Sequence, residues 1–257
     1  MSRYYFISDV HLGLKVGDPQ GRERRLVAFL NSLEPDTGGV FLLGDLFDFW
    51  YEYKYVIPRG YTRILGALSR LTDRGIPVHF FTGNHDCWTF GFLENEIGLI
   101  VHRDELYIEL EGKNFLLAHG DLMGQVKPGY RMLQNIFRAR FPNMLFRAIH
   151  PRWAFSMASE WSRHNRLSKG FLYEYKGEEE PSFRYAAQYP HPVDYCIIGH
   201  IHSPARCNLP GGGELIVLGD WVSVGSSGAV RADIGIFGGA EEGKVEIIEA
   251  PVVVHLD

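Results

Sequence analysis

The hydrophobic residues of the first half of the chain fall into short runs, each ending in a polar segment. Tyr4–Ile7 ends at Ser-Asp-Val-His, Val40–Leu43 at Gly-Asp, and Val78–Thr82 at Gly-Asn-His-Asp. Short apolar runs bounded by turn-forming residues are typical of buried strands. Each run is therefore predicted to be a strand that leads directly into a polar loop.

The two segments between these strands have apolar positions spaced as on one face of a helix: Leu26, Phe29, Leu30 and Leu33, then Ile64, Leu65, Leu68 and Leu71. Alternating strands and helices predict βαβ units with right-handed crossovers in a largely parallel sheet. Ligands bind such sheets at the carboxyl ends of the strands, which is where all three polar loops fall.

The second half of the chain predicts further strands around a long helical segment. Leu106–Leu110 and Phe115–Ala118 predict a hairpin, and Asp194–Ile198 predicts a strand ending in Gly-His-Ile-His. Later short strands are predicted at Leu215–Leu218, Arg231–Phe237 and Val245–Ile248. The segment at about 125–190 has helical spacing and far exceeds an ordinary loop of roughly 4–6 residues. We therefore expect one domain, 1–257, in which a helical insert interrupts an α/β core.

Composition is that of a soluble globular protein. Hydrophobic residues make up 46% and charged residues 22% of the 257 positions, which excludes a disordered, collagen-like or coiled-coil chain. No apolar run approaches the roughly 20 residues that cross a bilayer, and the amino terminus suits neither a signal peptide nor an anchor. The three cysteines are widely spaced without a CxxC pair, so we expect no disulfide framework and a cytoplasmic location.

Charge is distributed unevenly along the chain. The segment from Lys127 to Lys169 contains nine basic residues and one acidic residue, Glu160, for a net charge of +8. Because the whole chain carries −5, the remainder carries −13. A basic segment in an acidic protein indicates an anionic partner at that position.

Five polar blocks carry the candidate chemistry: Asp9-x-His11, Gly44-Asp45-x-x-Asp48, Gly83-Asn84-His85-Asp86, His119-Gly120-Asp121 and Gly199-His200-x-His202. Singly, such blocks also occur as turns or helix caps. Together, each after a predicted strand, they offer carboxylate, amide and imidazole ligands that suit Mn, Fe, Zn or Mg. Seven such residues fit two ions that share a carboxylate, an arrangement suited to in-line attack on phosphorus. A nearby imidazole without a metal could protonate the leaving oxygen.

This set of blocks resembles that of the calcineurin-like metallophosphoesterases. The resemblance implies a four-layer α/β/β/α sandwich, with the C-terminal strands supplying the second sheet. It also implies two metal ions. Their predicted ligands are Asp9, His11, Asp45 and His202 for one ion, and Asp45, Asn84, His119 and His200 for the other. His85 would be the acid or transition-state stabiliser, with Asp86 as its orienting partner.

Within that superfamily the chain is most similar to the bacterial UDP-2,3-diacylglucosamine hydrolases of lipid A synthesis, on its length, the Gly-Asp-Leu-Phe-Asp-Phe-Trp and Ala-His-Gly-Asp blocks and the insert. The resemblance implies an acylated UDP-sugar substrate, manganese dependence and peripheral contact with inner-membrane lipid. The implied substrate contacts are Asn84, His85, Lys127, Ser162, Asn165, Lys169 and His200. The third block departs from the pattern of that family, because His85 stands where its best-known members have arginine.

The insert combines apolar and basic residues, which suits a lid over acyl chains and pyrophosphate. Its apolar residues are Phe137, Phe141, Met144, Leu145, Phe146, Trp153, Phe155, Met157 and Trp161. These residues would equally serve to attach the insert to the core.

Two other functions remain open. One is a different metallophosphoesterase, acting on monoesters, phosphoproteins or cyclic nucleotides, and another is a non-catalytic scaffold. A nuclease is disfavoured by the overall charge, so we expect no nucleic-acid partner, and we infer no obligate protein partner.

Overall fold

The strands of the computed structural model form two sheets, and the structure describes residues 2–157, 160, 175–222, 233–238 and 244–249. In chain order the strands are β1 (Arg3–Ile7), β2 (Thr37–Leu42), β3 (Val78–Phe81), β4 (Ile100–His102), β5 (Leu106–Leu110), β6 (Lys113–Leu117), β7 (Tyr195–Ile198), β8 (Ala205–Asn208), β9 (Glu214–Val217), β10 (Asp233–Phe237) and β11 (Val245–Glu249). The helices are α1 (Pro19–Asn31), α2 (Thr62–Asp73), α3 (Phe92–Asn95), α4 (Pro128–Arg138), α5 (Arg140–Arg147) and α6 (Pro181–Ala187). Residues 151–157 are also helical, and within the described ranges no helix combines the length and apolarity needed to cross a bilayer.

The first sheet has the strand order β11-β10-β1-β2-β3-β4, and its last four strands run parallel, as the βαβ pattern predicts. The second sheet has the order β5-β6-β7-β9-β8, and β5 and β6 form the predicted antiparallel hairpin. The C-terminal strands were expected to supply the second sheet, and β7, β8 and β9 do so, but for β10 and β11 the expectation is wrong, because both belong to the first sheet. Instead β10 pairs antiparallel with β1, which covers an edge of β1 that would otherwise expose unpaired backbone groups.

Side chains alternate between the faces of each sheet and so create three apolar layers. On β1, Tyr5 and Ile7 pack against α1 and α2, whereas Phe6 points toward the second sheet. The second sheet packs its outer face, which includes Ile198, against Phe183 of α6. Helices, sheet, sheet and helix follow one another through the molecule, and the predicted four-layer sandwich is confirmed.

Stacked aromatic rings fill the layer between the sheets. The Phe6 ring lies 5.1 Å from that of Phe41 and 5.6 Å from that of Phe115, centroid to centroid. Phe115 also meets Phe237 edge-on at 4.9 Å, so this one side chain links strands of both sheets. The rings hold the two sheets together behind the edge where the polar loops lie.

We predict that Phe115→Ala lowers the free energy of unfolding by about 3–5 kcal/mol, because Phe115 is fully buried and its removal leaves a cavity. Urea denaturation measures the change. Phe141→Ala is the control, since that phenylalanine is 65% exposed and its loss should change stability by less than about 0.5 kcal/mol. Equal effects of the two substitutions would contradict the role given to the inter-sheet layer.

Candidate metal centre

The five polar blocks meet where the carboxyl ends of strands from both sheets come together. The Asp9 N–H donates to the Gly44 carbonyl at 3.1 Å, and the Gly199 N–H donates to the His119 carbonyl at 3.0 Å. The two sheets are joined at this point by the His200 N–H, which donates to Oδ2 of Asp9 at 2.8 Å. Blocks far apart in the sequence are therefore hydrogen-bonded into one site.

Asp9 is fully buried, and its two carboxylate oxygens have different surroundings. Oδ2 accepts the Ser8 hydroxyl at 2.6 Å in addition to the His200 N–H. Oδ1 accepts no hydrogen bond from any described residue, but lies 3.4 Å from Nε2 of His202 and 3.7 Å from Nε2 of His11. Burial raises the pKa of Asp9 although His202 opposes the shift, so the carboxylate needs further positive charge nearby to stay ionised.

Asp45 lies at the centre of the site. Its Oδ2 is 3.6 Å from Nε2 of His119, 3.8 Å from Nε2 of His11 and 3.9 Å from Nε2 of His85. Its Oδ1 accepts the His85 N–H at 2.9 Å. Burial alone would raise the pKa of Asp45, but His119, His85 and that hydrogen bond hold it below its usual value. Asp45 therefore supplies a negative charge shared by three imidazoles, as a bridging ligand would.

Three imidazoles are oriented by acceptors on their Nδ1 atoms. Nδ1 of His119 lies 2.9 Å from the Leu43 carbonyl, and Nδ1 of His85 lies 2.8 Å from the Asp48 carbonyl. Because a carbonyl only accepts, both Nδ1 atoms must carry hydrogen, which turns Nε2 toward the centre of the site. Nδ1 of His202 is held in the same way by Oδ2 of Asp220 at 2.6 Å.

Backbone conformation is unusual at these residues. Asp9, His11, Asp45, His200 and His202 all have left-handed φ angles, between 49° and 67°. Outside glycine, the remaining described residue of this kind is Glu111, in the hairpin turn. Such conformations cost roughly 1–3 kcal/mol each and persist where the surroundings impose them, commonly at functional sites. A Cβ at Gly199 would collide with Ser8 Oγ and Asp9 Oδ2, so this block also requires glycine.

The chemistry of these atoms fits divalent cations. Among the residues that the structure describes, three triads have ligand atoms mutually within 4.8 Å: Asp9, His11 and His202; Asp9, Asp45 and His119; and His11, Asp48 and His85. Their oxygen and nitrogen atoms, without thiolate, suit Mn, Fe, Zn or Mg.

The surroundings of His119 are electrostatically negative. With hydrogen on Nδ1, a neutral His119 directs the lone pair of Nε2 at the Asn84 amide oxygen, 3.3 Å away, and at Asp45. Burial alone would lower the pKa of His119, yet Asp45 and Asp9 raise it to about 9. His200 differs, because burial and His119 lower its pKa to about 3 and leave a neutral imidazole. The region around Asp45 therefore attracts a cation or a proton.

Asp86 does not make the contact predicted for it. The described hydrogen bonds of its carboxylate come from the N–H groups of Gly83 at 2.8 Å, Phe47 at 3.2 Å and Asp45 at 3.3 Å. The group that orients the His85 ring is the Asp48 carbonyl. Asp86, whose pKa burial and Asp45 raise to about 7, instead joins the second and third blocks through their backbones.

Two residues that sequence reasoning missed support the site. Asp220 orients His202. The sequence does contain a pattern that indicates Asp220, because Gly219-Asp220 follows an apolar run just as Gly44-Asp45 does. Arg22 is buried in α1 and donates to the His11 carbonyl at 2.8 Å, which holds the first block in place. Arg22 had no comparable signal, because a charged residue in a helix usually faces solvent.

The predicted substrate contacts are only partly within the described residues. Lys127 is exposed and precedes α4. Ser162, Asn165 and Lys169 lie outside the described residues, as does Trp161 of the insert.

The described part of the insert is anchored to the core by specific contacts. Trp88 Nε1 donates to the Phe137 carbonyl at 2.9 Å, and Arg138 pairs with buried Asp121 of the fourth block at 3.3 Å. Phe146 packs on Tyr51 with ring centroids 4.7 Å apart, and Phe155 similarly packs on the core. Other apolar insert residues are exposed: Met132, Ile136, Phe141, Met144, Leu145, Trp153 and Met157. The insert thus has both an anchoring set and an exposed apolar set.

The chain is similar to known proteins in its sequence over most of its length. Residues 2–204 match the profile of the family described as Calcineurin-like phosphoesterase. A UDP-2,3-diacylglucosamine hydrolase of Porphyromonas gingivalis is 38% identical over 88% of this chain and 92% of its own length. A UDP-2,3-diacylglucosamine hydrolase of Stenotrophomonas maltophilia is 32% identical over 90% of this chain and 94% of its own length. A solved dimetal phosphatase from Danio rerio aligns with a TM-score of 0.45 and 15% identity, over 97% of this chain and 99% of that chain.

We predict that Asp220→Asn weakens metal binding by roughly 10–100-fold, because an amide orients and polarises His202 less strongly than a carboxylate. Titration with Mn²⁺, following free Mn²⁺ by electron paramagnetic resonance, measures this without any turnover. Asp194→Asn is the matched control, since Asp194 accepts the Asn114 N–H at 2.8 Å and belongs to none of the candidate metal-binding triads. Unchanged affinity in Asp220→Asn would remove Asp220 from the support of the site.

Proposed function

Because the chain belongs to the calcineurin-like phosphoesterase family, we propose that it hydrolyses UDP-2,3-diacylglucosamine to UMP and 2,3-diacylglucosamine 1-phosphate, a step of lipid A synthesis. The chain is a metal-dependent hydrolase by family, and the substrate is the one named in relatives that align over most of both chains. The observation that carries the chemistry is the Asp45 carboxylate, buried among three imidazoles that direct Nε2 toward it.

The metal ligands in this proposal are those expected from the sequence. Asp9, His11 and His202 would hold one ion, and Asn84, His119 and His200 the other, with Asp45 shared between them. Two divalent cations there, manganese in this proposal, would activate a water and neutralise the phosphoryl oxygens. The oxygen and nitrogen ligands and the raised pKa of His119 support this assignment.

His85 is the proposed catalytic residue beside the metals. The Asp48 carbonyl holds the Nδ1 edge of the ring, so Nε2 is the ring atom available to substrate, and it lies 3.9 Å from Oδ2 of Asp45. The ring is 23% exposed, which allows contact with a bound phosphoryl group. The leaving group from a pyrophosphate is itself a phosphate and needs little protonation, so His85 would act mainly by stabilising charge in the transition state.

The insert is the proposed lid over the acyl chains. Its exposed apolar residues offer surface for acyl chains, whose burial contributes about 0.8 kcal/mol per CH₂. Basic residues of the same segment, such as Lys127, suit the pyrophosphate or anionic headgroups at the inner membrane. Peripheral membrane contact on the cytoplasmic side is therefore part of the proposal.

The direct test is incubation of manganese-loaded protein with UDP-2,3-diacylglucosamine and chromatography for UMP. We expect UMP from the wild type, and at least about 10²-fold less from Asp45→Asn, which loses the shared negative charge. Circular dichroism would check that the variant is folded. Rapid hydrolysis of p-nitrophenyl phosphate without any UMP would instead favour another phosphoesterase, as the histidine of the third block allows.

If the insert is a lid, Trp153→Glu should lower kcat/KM for the acylated substrate by about 10-fold or more. The substitution would place a charge in the apolar surface that meets the acyl chains. Hydrolysis of p-nitrophenyl phosphate, which has no acyl chain, should be unchanged. Tyr55→Glu is the control, since this exposed aromatic residue lies outside the insert. Equal losses on both substrates would argue against the lid.

A further inference from the structure

A cavity of about 520 Å³ lies between the segment around the third block and the insert. The core contributes Thr82, Cys87 and Arg103 to its walls, and the insert contributes Arg138 and Arg147. Among the described residues that line it, none is a predicted metal ligand. Its volume falls in the range of small-molecule sites, roughly 300–1,000 Å³.

The walls of this cavity carry excess positive charge. Three guanidinium groups face one carboxylate, that of Glu94. Arg103 donates to Glu94 Oε1 at 3.2 Å, so the charge of that carboxylate is already paired. Arg147 lies over the Phe90 ring at 4.3 Å from its centroid, a contact that places the cation without neutralising it. Arg138 pairs with Asp121, which lies outside the lining, so Arg147 is the arginine of this cavity without a carboxylate partner among the described residues.

Arg138 provides an independent indication of a ligand. Its Nη2 atom lies 3.3 Å from Oδ2 of Asp121, a residue of the fourth block. Its Nε is buried and has no hydrogen-bond partner among the described residues. Buried donors in native proteins almost always have a partner, so an acceptor at this position would complete the arrangement.

The neutral groups of the cavity are compatible with an anion. Burial raises the pKa of the Cys87 thiol to about 12, so it stays protonated and uncharged at neutral pH. Thr82, Thr89 and Gly91 add polar or small groups that do not repel negative charge.

We propose that this cavity is an oxyanion site that binds a phosphomonoester group between Arg103 of the core and Arg138 and Arg147 of the insert. Arginine recognises phosphate oxygens through paired N–H groups, and three arginines suit a dianion. The occupant would tie the insert to the core at a position separate from the metal ligands. The site therefore does not depend on the substrate proposed above.

The test is arginine labelling of the metal-loaded full chain by phenylglyoxal, read residue by residue with mass spectrometry. Inorganic phosphate, uridine monophosphate and uridine are compared as ligands. At about ten times the Kd, a ligand should slow labelling of Arg103 and Arg147 about tenfold, because only unoccupied protein reacts. Arg152, an exposed arginine of the same insert outside the cavity, should label at an unchanged rate.

The three ligands separate the sources of the anion. Protection by phosphate and uridine monophosphate alike supports recognition of the phosphate group alone, and protection by the nucleotide alone supports a nucleotide phosphate. In Arg147→Gln, protection of Arg103 should fall several-fold. The proposal is overturned if uridine protects equally well, if Arg103 and Arg147 are slowed no more than Arg152, or if Arg147→Gln leaves the protection of Arg103 intact.

Discussion

Two buried carboxylates close to one another, those of Asp9 and Asp45, impose the main constraint on this structure. Negative charges at such depth are unstable without compensating positive charge. Several imidazoles surround the two carboxylates. Asp45 and Asp9 in turn raise the pKa of His119 above its ordinary range. The left-handed backbone at Asp9, His11 and Asp45 is the conformational cost of holding these groups together. A site built at such cost is explained by the cations it would bind.

The two-sheet architecture is what makes this convergence possible. A single parallel sheet would supply the loops that carry Asp9, Asp45 and Asn84, all from its carboxyl edge. The loops with His119 and His200 come from the second sheet, and the stacked rings of Phe6 and Phe115 fix its position. The His200 N–H donates to Asp9 and so joins the loops of the two sheets by a hydrogen bond. Aromatic packing remote from the site thus determines which ligands can meet.

The sequence predicted the strands and the blocks well because both are local signals. Apolar runs that end in a small residue and a carboxylate, Ser8-Asp9 and Gly44-Asp45, identify these aspartates without reference to the rest of the chain. The sheet to which β10 belongs was not predictable in this way, since pairing depends on which edge of β1 is free. The partner of His85 was missed for a similar reason, because the acceptor is the backbone carbonyl of Asp48, which any residue type would provide.

The insert shows how one composition can serve two purposes. Its aromatic residues predicted either a lid or an attachment to the core, and the structure divides them by position along the helices. Phe137 and Phe146 lie on the attached side, where Trp88 and Tyr51 meet them, while Phe141 and Trp153 face outward. Attachment through Arg138 and Asp121 then connects this outward surface to the block that contains His119. In the proposed lid, this ion pair would be a direct link between the insert and the candidate metal centre.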